Sequence, residues 1–376
     1  NIEYGRLSNP AATFKAYDYF TSKETNFVNE GYTIAVNSNQ ARGVLARVLL
    51  EPVTQVNDSN TYDITAWSLP YAYGVHGFAS KEKIAIKTGF ELQSTNTPVT
   101  DFAYLIPYNS FTSAKVLAQL LKKNIKVRYA EKPFISNGKQ FGIGTLLVLK
   151  TSNHEGWATE TKLICDAFKV EATAAVSGFS DKGADFGSPD NKIINHAPKV
   201  AMFTGEFISS LAAGEVWSFF DQQLNYPISQ LTYTQLARID LSKYDVLIIP
   251  DGQYKDVNSK PIADKLQAFV RKGGVLIAIE SAVQQLALNP EWGLKIKELP
   301  KNDKLDVNTI NKYGDRVMNM LQSSIPGAIY KVSIDETYPI GFGTSGYYFE
   351  LKQNVHIYEP ANDFWNVGVL KKDSYV

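Results

Sequence analysis

Apolar and polar positions change rhythm along the chain. Up to about residue 95 the apolar runs are short and alternating, as in Gly31-Tyr-Thr-Ile-Ala-Val36, Val44-Leu-Ala-Arg-Val-Leu-Leu50 and Lys83-Ile-Ala-Ile-Lys87. Alternation in a background of Tyr, Thr and Val predicts strands, so this segment reads as β-rich. Within it, Tyr62-Asp-Ile-Thr-Ala-Trp-Ser-Leu-Pro70 mixes proline with aromatics in a way that suits neither a helix nor a central strand, and predicts a packed loop.

From about residue 100, apolar runs alternate with amphipathic stretches. Ala103 to Pro107, Lys126 to Ala130 and Thr145 to Leu149 predict strands, while Ser113 to Lys123 and Thr159 to Phe168 predict helices with one apolar face. This is a βαβ-type alternation. The Gly- and Asp-rich run Ser177 to Asn191, followed by Ala197-Pro198, reads as a linker. The alternation then restarts. Strands are predicted at Lys199 to Gly205, Tyr244 to Pro250 and Gly274 to Ile279, and helices at Gly214 to Leu224, Pro261 to Arg271 and Ala282 to Leu288. Near-continuous apolar strands are those of a parallel sheet buried on both faces, so this half predicts a doubly wound sheet with ligands at the carboxyl ends of its strands. The tail from Ile325 returns to strand and loop. The expected organisation is a β-rich segment (1–95), a first α/β block (96–190) and a second block (191–376), an α/β chain throughout its larger part.

Composition narrows the classes. The chain has 376 residues, 44% of them hydrophobic, with 38 basic against 38 acidic side chains and net charge +0. Such a balance builds a globular core and leaves no electrostatic footprint for nucleic acid. No apolar run reaches the roughly 18–20 residues that cross a bilayer. Asn1 opens the sequence without a basic, apolar leader, so any targeting segment is expected to have been removed or to lie outside this chain. With Cys165 the only cysteine, neither an intrachain disulfide nor a cysteine-rich zinc site can form.

The sharpest local signal is Phe269-Val-Arg-Lys-Gly-Gly-Val-Leu-Ile-Ala-Ile-Glu-Ser-Ala282: a helix end, a Gly pair, a buried strand, then two polar residues before a new helix. A strand-to-helix elbow holds its first residue in an exposed, strained conformation beside helix amides. Glu280 would stand at the tip. It has two readings, a carboxylate capping the following helix or a ligand-binding or acid/base group. Ser281 reads as a helix cap, or as a nucleophile served by His196 or His356. With the strand ends that should lie beside them, Glu206, Asp251, Gly252, Glu280 and Ser281 form the candidate ligand crevice, with no catalytic residue assigned.

The elbow, together with Asp245-Val-Leu-Ile-Ile-Pro-Asp-Gly252, resembles class I glutamine amidotransferases and their relatives. Glu280 stands where that family has its catalytic Cys, and Asp251 where it has the first Gly of Pro-Gly-Gly. The resemblance implies a flavodoxin-like fold; a carboxylate is a weak acyl nucleophile, so amidotransferase chemistry is not expected. More widely, Tyr62 to Val75, Ala103-Tyr-Leu-Ile-Pro-Tyr-Asn109, Arg128-Tyr-Ala-Glu-Lys-Pro-Phe134, Gly214-Glu-Val-Trp-Ser218 and Ile325-Pro-Gly-Ala-Ile329 resemble the carboxy-terminal region of large bacterial zinc carboxypeptidases of the carboxypeptidase A type. This implies an accessory region without the peptidase, an adjoining metallopeptidase domain as partner, and export.

Three motifs have plainer readings. The family's zinc site needs His-x-x-Glu and a later His. Only His356-Ile-Tyr-Glu359 fits the short pattern, in a strand-like run with no His after it, so no metal site is expected. Gly341-Phe-Gly-Thr-Ser-Gly346 matches a dinucleotide fingerprint, but Tyr347 to Lys352 after it reads as a strand, not the helix that pyrophosphate requires. His154, Glu155 and Glu160 read as a polar loop and helix start. No cofactor is called for. Trp67, Tyr71 and Tyr73 suit stacking on a sugar or peptide as well as packing between domains, which leaves a stand-alone binding module as a further possibility.

Overall fold

The structure is a computed structural model, and it describes residues 2–9, 11–29, 33–53, 68–89, 96–297, 312–317, 325 and 327–375. The amino-terminal segment holds β1 (Tyr4–Leu7), β2 (Thr13–Asp18), β3 (Lys23–Val28), β4 (Ile34–Val36), α1 (Gly43–Leu50), α2 (Leu69–Ala72), β5 (Phe78–Ala79) and β6 (Ile86–Lys87). They form two small antiparallel sheets, ordered β4-β1-β6 and β3-β2-β5. One expectation is corrected here: Val44 to Leu50 is helical, because an apolar run of that length fits either element and only its neighbours decide. Residues 62–67 of the expected loop, Trp67 among them, lie outside the described residues.

The first α/β block contains β7 (Ala103–Ile106), α3 (Phe111–Lys122), β8 (Val127–Ala130), β9 (Phe134–Ser136), β10 (Lys139–Phe141), β11 (Leu146–Leu149), α4 (Trp157–Phe168), β12 (Thr173–Ala175) and β13 (Asn191–Ile194). Its sheet runs β12-β7-β11-β8-β13 with every pairing antiparallel. The βαβ expectation is therefore refined: α3 does link two like-directed strands, but β11 inserts between them as a split βαβ unit. Ser110 caps α3 by accepting from the Ser113 amide at 3.2 Å. Leu120 of α3 and Trp157 and Cys165 of α4 bury one face of the sheet. Phe134, Phe141 and Phe186 bury the other. Phe186 lies in the stretch expected to be a linker, which instead closes over the sheet, and β13 beyond it pairs with β8.

The second α/β sheet is formed by β14 (Val200–Thr204), α5 (Ser210–Ser218), β15 (Ile228–Thr232), β16 (Val246–Ile249), α6 (Lys260–Arg271), β17 (Val275–Ala278) and α7 (Ser281–Leu286). All its pairings are parallel and its order is β15-β14-β16-β17, the 2-1-3-4 arrangement of flavodoxin-like sheets. The alternate residues Ala201, Phe203, Leu247 and Ile249 face α6 and α7 through Leu266, Phe269 and Leu286. Val200, Met202 and Ile248 face α5 and also Ala118 and Leu121 of α3. The doubly wound sheet thus shares α3 with the first block. Gln119 and Lys122 of α3 fix that contact by donating to the carbonyls of Leu224 and Asn225 at 2.8 and 2.6 Å.

The chain closes with β18 (Ala328–Ile334), β19 (Tyr347–Lys352) and β20 (Gly368–Tyr375), an antiparallel sheet ordered β19-β18-β20. The glycine-rich run before β19 is a turn lodged on the first block: an added Cβ at Gly343, whose φ is 81°, would lie 2.9 Å from the Tyr108 carbonyl oxygen. Ile329 and Phe349 pack on Tyr19 and Tyr71 of the amino-terminal segment. Beside them His76 is sandwiched between Phe20 and Phe78, with ring centroids 4.0 and 4.3 Å away, and its Nε2 lies 2.7 Å from Asp18 Oδ1.

Burial pushes the Asp18 carboxyl upward, but hydrogen bonds from His76, the Phe20 amide and Thr21 outweigh it and hold the group below its ordinary 3.8. A carboxylate whose folded pKa is lowered contributes stability above its unfolded value and loses it as pH falls through the folded one. Asp18→Asn is therefore expected to cost about 1–3 kcal/mol near neutral pH. The difference from wild type should shrink below about pH 3.8 in urea melts run across that range.

Candidate functional site

The carboxyl ends of β14, β16 and β17 meet where the strand order reverses, between β14 and β16. Three turns leave the sheet there. After β14 comes Gly205-Glu-Phe-Ile208, in which Phe207 has φ 71°. After β16 comes Pro250-Asp-Gly252, and after β17 the turn Ile279-Glu-Ser281 into α7. The first two are stitched together: Gln253 donates its amide to the Phe207 carbonyl at 2.7 Å, Ser209 donates to the Asp251 carbonyl at 3.0 Å, and Gly252 bridges Ile208. Gly252 is buried because the turns touch, and Tyr254, whose hydroxyl donates to the Pro250 carbonyl at 2.7 Å, closes the floor.

Glu280 is the elbow. Its backbone sits at φ 50° and ψ −117°, a conformation rarely adopted by a residue with a Cβ and one that costs about 1–3 kcal/mol unless its surroundings impose it. The imposing contacts come from both sides. The Ile279 amide donates to the Ile249 carbonyl at 3.0 Å, and the amides of Val283 and Gln284 donate to the Glu280 carbonyl. The reading of Glu280 as a helix cap is corrected, because its side chain makes no capping hydrogen bond in this backbone conformation. The cap comes from Asp251, whose Oδ1 accepts from the Ser281 amide at 3.1 Å. Asp251→Ala is accordingly expected to lower stability by about 0.5–2 kcal/mol, measured by chemical denaturation. Gln285 of α7 completes the frame by donating to the carbonyls of Gly252 and Ser281 at 2.8 and 3.0 Å.

The electrostatics single out one group. Partial desolvation raises the pKa of the Glu280 carboxyl above the ordinary carboxylate value. The negative charges of Asp251, Glu215 and Glu350 add to the rise, against the pull of Lys352. Burial in turn lowers the Lys352 ammonium, against Glu350 and Glu280; its Nζ donates to Asn354 Oδ1 at 2.9 Å and to the His356 carbonyl at 2.7 Å. Glu215 on α5 and Glu350 and Lys352 on β19 are side chains that sequence reasoning missed. Glu206, by contrast, is exposed on the first turn and is not among the charges acting on Glu280.

Other expectations fall elsewhere in the molecule. His196 pairs with Asp245 at 3.1 Å, at the amino end of β16, so the strand length separates it from Ser281. Neither His196 nor His356 hydrogen-bonds Ser281 among the described residues. Cys165 is fully buried in the first block, where burial and then the neighbouring Asp166 push its thiol up to about 12. His154 lies 3.4 Å from Glu160 at the start of α4, and Glu359 pairs with Lys295 at 2.6 Å. Among the described residues no three His, Cys, Asp or Glu side chains converge as metal ligands, and no helix is long and apolar enough to cross a membrane. Tyr71 is buried against Tyr19 and Phe349, whereas Tyr73 is exposed.

No family model matches the chain, and no curated protein matches it. Among solved structures, a glutamine amidotransferase from Thermotoga maritima is similar over 48% of this chain and 70% of its own, at 11% identity and a TM-score of 0.31. The α/β class and the flavodoxin-like strand order are shown by the sheet pairings themselves.

Proposed function

We propose that this chain is a non-catalytic accessory or ligand-binding region, in which an amidotransferase-like sheet keeps the elbow but not the nucleophile. One observation carries the reading. The strained tip of the elbow is Glu280, while the sole thiol, Cys165, is buried in another core and held in its protonated form. A thiolate can attack an amide carbon; a carboxylate there would give a mixed anhydride, and a thiol with its pKa near 12 supplies almost no thiolate at neutral pH. What remains is the switch point of a doubly wound sheet, the usual place for a small ligand. The resemblance to the carboxy-terminal region of zinc carboxypeptidases supports an adjoining metallopeptidase domain as its partner and an exported protein as its setting.

The purified chain is expected to release no ammonia from glutamine and no product from peptides or esters above the buffer rate. The coding sequence upstream of Asn1 tests the setting: a peptidase with intact zinc ligands there supports it, and a different neighbour overturns it.

A second reading, a hydrolase using Glu280 as acid or base, is favoured by the upward displacement of that carboxyl among Asp251, Glu215 and Glu350. Glu280→Gln separates the two readings. Turnover of any amide, ester or glycoside that falls at least roughly a hundredfold in the variant establishes the hydrolase, in keeping with the usual scale of general acid–base catalysis. Turnover absent from both proteins supports the binding region.

A further inference from the structure

A separate cavity of about 310 Å³ opens on the first α/β block, at the end where β8, β11 and β13 meet the turn after β11. Arg128 lies on its wall. It sits at the centre of β8, between Leu147 and Ile193 in register, on the sheet face opposite the helices. Its Nη1 donates to the Asn191 carbonyl at 3.2 Å, while Nε is shut off from solvent with no acceptor. The nearby acids are engaged elsewhere, Glu131 with Lys192 at 3.5 Å and Asp190 with Lys132 at 3.2 Å. Among the described residues Arg128 has no carboxylate partner. With Nε out of a ligand's reach, the side of Arg128 left open is Nη2, which has no acceptor among the described residues, and an oxyanion is its natural complement.

The rest of the wall agrees. Lys126 adds a second positive charge, Thr151 and Ser152 add hydroxyl donors, and no acidic residue lines the cavity. The two walls are fixed to each other by Asn153, which accepts from the Lys126 amide at 2.6 Å and donates to the Lys126 and Leu149 carbonyls at 3.0 and 2.9 Å. Asn195 is a further polar group on the wall, and Val127, Leu147, Leu149 and Ile193 supply its aliphatic part. The volume is at the small end of ligand pockets, which run from roughly 300 to 1,000 Å³.

We infer that this cavity is a binding site for a small aliphatic carboxylate, its oxygens on Arg128, Lys126 and the hydroxyls of the turn, its hydrocarbon against Leu149 and Ile193. The site is distinct from the elbow and stands whether or not the function proposed for the elbow does. The guanidinium and the ammonium supply charge-assisted donors to the carboxylate, and the aliphatic part of the wall favours such a ligand over inorganic phosphate.

The test is calorimetric titration of the full chain at low salt with 3-methylbutanoate, its uncharged amide and inorganic phosphate as probes. One saturable 3-methylbutanoate site is expected, weakened roughly tenfold in Lys126→Gln and more in Arg128→Gln, with the amide not binding. Lys126 is exposed, so its variant keeps the test valid should the Arg128 variant fail to fold. Absence of saturation, equal binding of the amide, affinity unchanged in Lys126→Gln, or phosphate binding as tightly as 3-methylbutanoate would each overturn the assignment.

Discussion

Phe203→Ala is expected to lower the free energy of unfolding by about 3–5 kcal/mol, read from urea denaturation followed by tryptophan fluorescence. Phe203 is in β14, which pairs on one side with β15 and on the other with β16, so no edge is free to relax into the space left behind. Its ring is fully buried and meets the edge of Tyr233, with centroids 5.4 Å apart, and Tyr233 in turn meets Tyr254 beneath the turn after β16. Removing the ring takes away both transfer free energy and the contacts of the surrounding side chains, which close-packed interiors cannot replace. A loss below about 1 kcal/mol would mean that β14 is not an interior strand of the sheet.

Gly252→Ala should cost about 1–3 kcal/mol, and the damage should concentrate at the elbow. A Cβ at Gly252 would stand 2.8 Å from the Phe207 carbonyl oxygen and 3.0 Å from the Ile208 Cα, both backbone atoms that no side-chain rotation can move aside. The turns after β14 and β16 would have to part. That breaks the hydrogen bonds from Gln253 to Phe207 and from Ser209 to Asp251, and loosens the hold of Gln285 on the Gly252 carbonyl. Hydrogen exchange provides the check: the amides of Ser209 and Gln253 should lose protection in the variant while those of β7 and β11 keep theirs. Uniform loss across the chain would point to global destabilisation instead and contradict a local role for this glycine.

These outcomes bear on a site that is partly legible in the sequence. The apolar runs at Val200 to Phe203 and Val246 to Ile249 read as buried parallel strands because burial on both faces removes the alternation of a half-exposed one. The Gly-Gly, strand, Glu-Ser order marked the elbow because a chain reversing from strand to helix must pass through a backbone conformation that few residues accept, and Glu280 adopts it. Other readings failed where a local pattern admits two structures. Val44 to Leu50 fits a helix as well as a strand, and Ser177 to Asn191, polar overall, holds two rings of which Phe179 is exposed and Phe186 is buried, and only the buried one turns a linker into a cover. The exchange of roles between Glu280 and Asp251 was equally hidden. Proximity in sequence favours Glu280 as the cap of α7, yet at its positive φ the side chain makes no capping hydrogen bond, and Asp251, thirty residues before Ser281, accepts from the Ser281 amide instead.

The sequence by itself determined three of the four parallel strands of the second block, the elbow and the absence of a thiol from it, because each depends on residue type and short-range spacing, whereas the edge strand β15, with its polar Ser229 and Gln230, carried no such signal. Only the tertiary structure decided that β11 enters between β7 and β8, that α3 serves both sheets, and that Glu215, Glu350 and Lys352 set the charge around Glu280. Those facts depend on segments far apart in the chain lying within a few ångströms of one another. Electrostatic and packing energies fall off with distance in space and carry no record of separation along the chain.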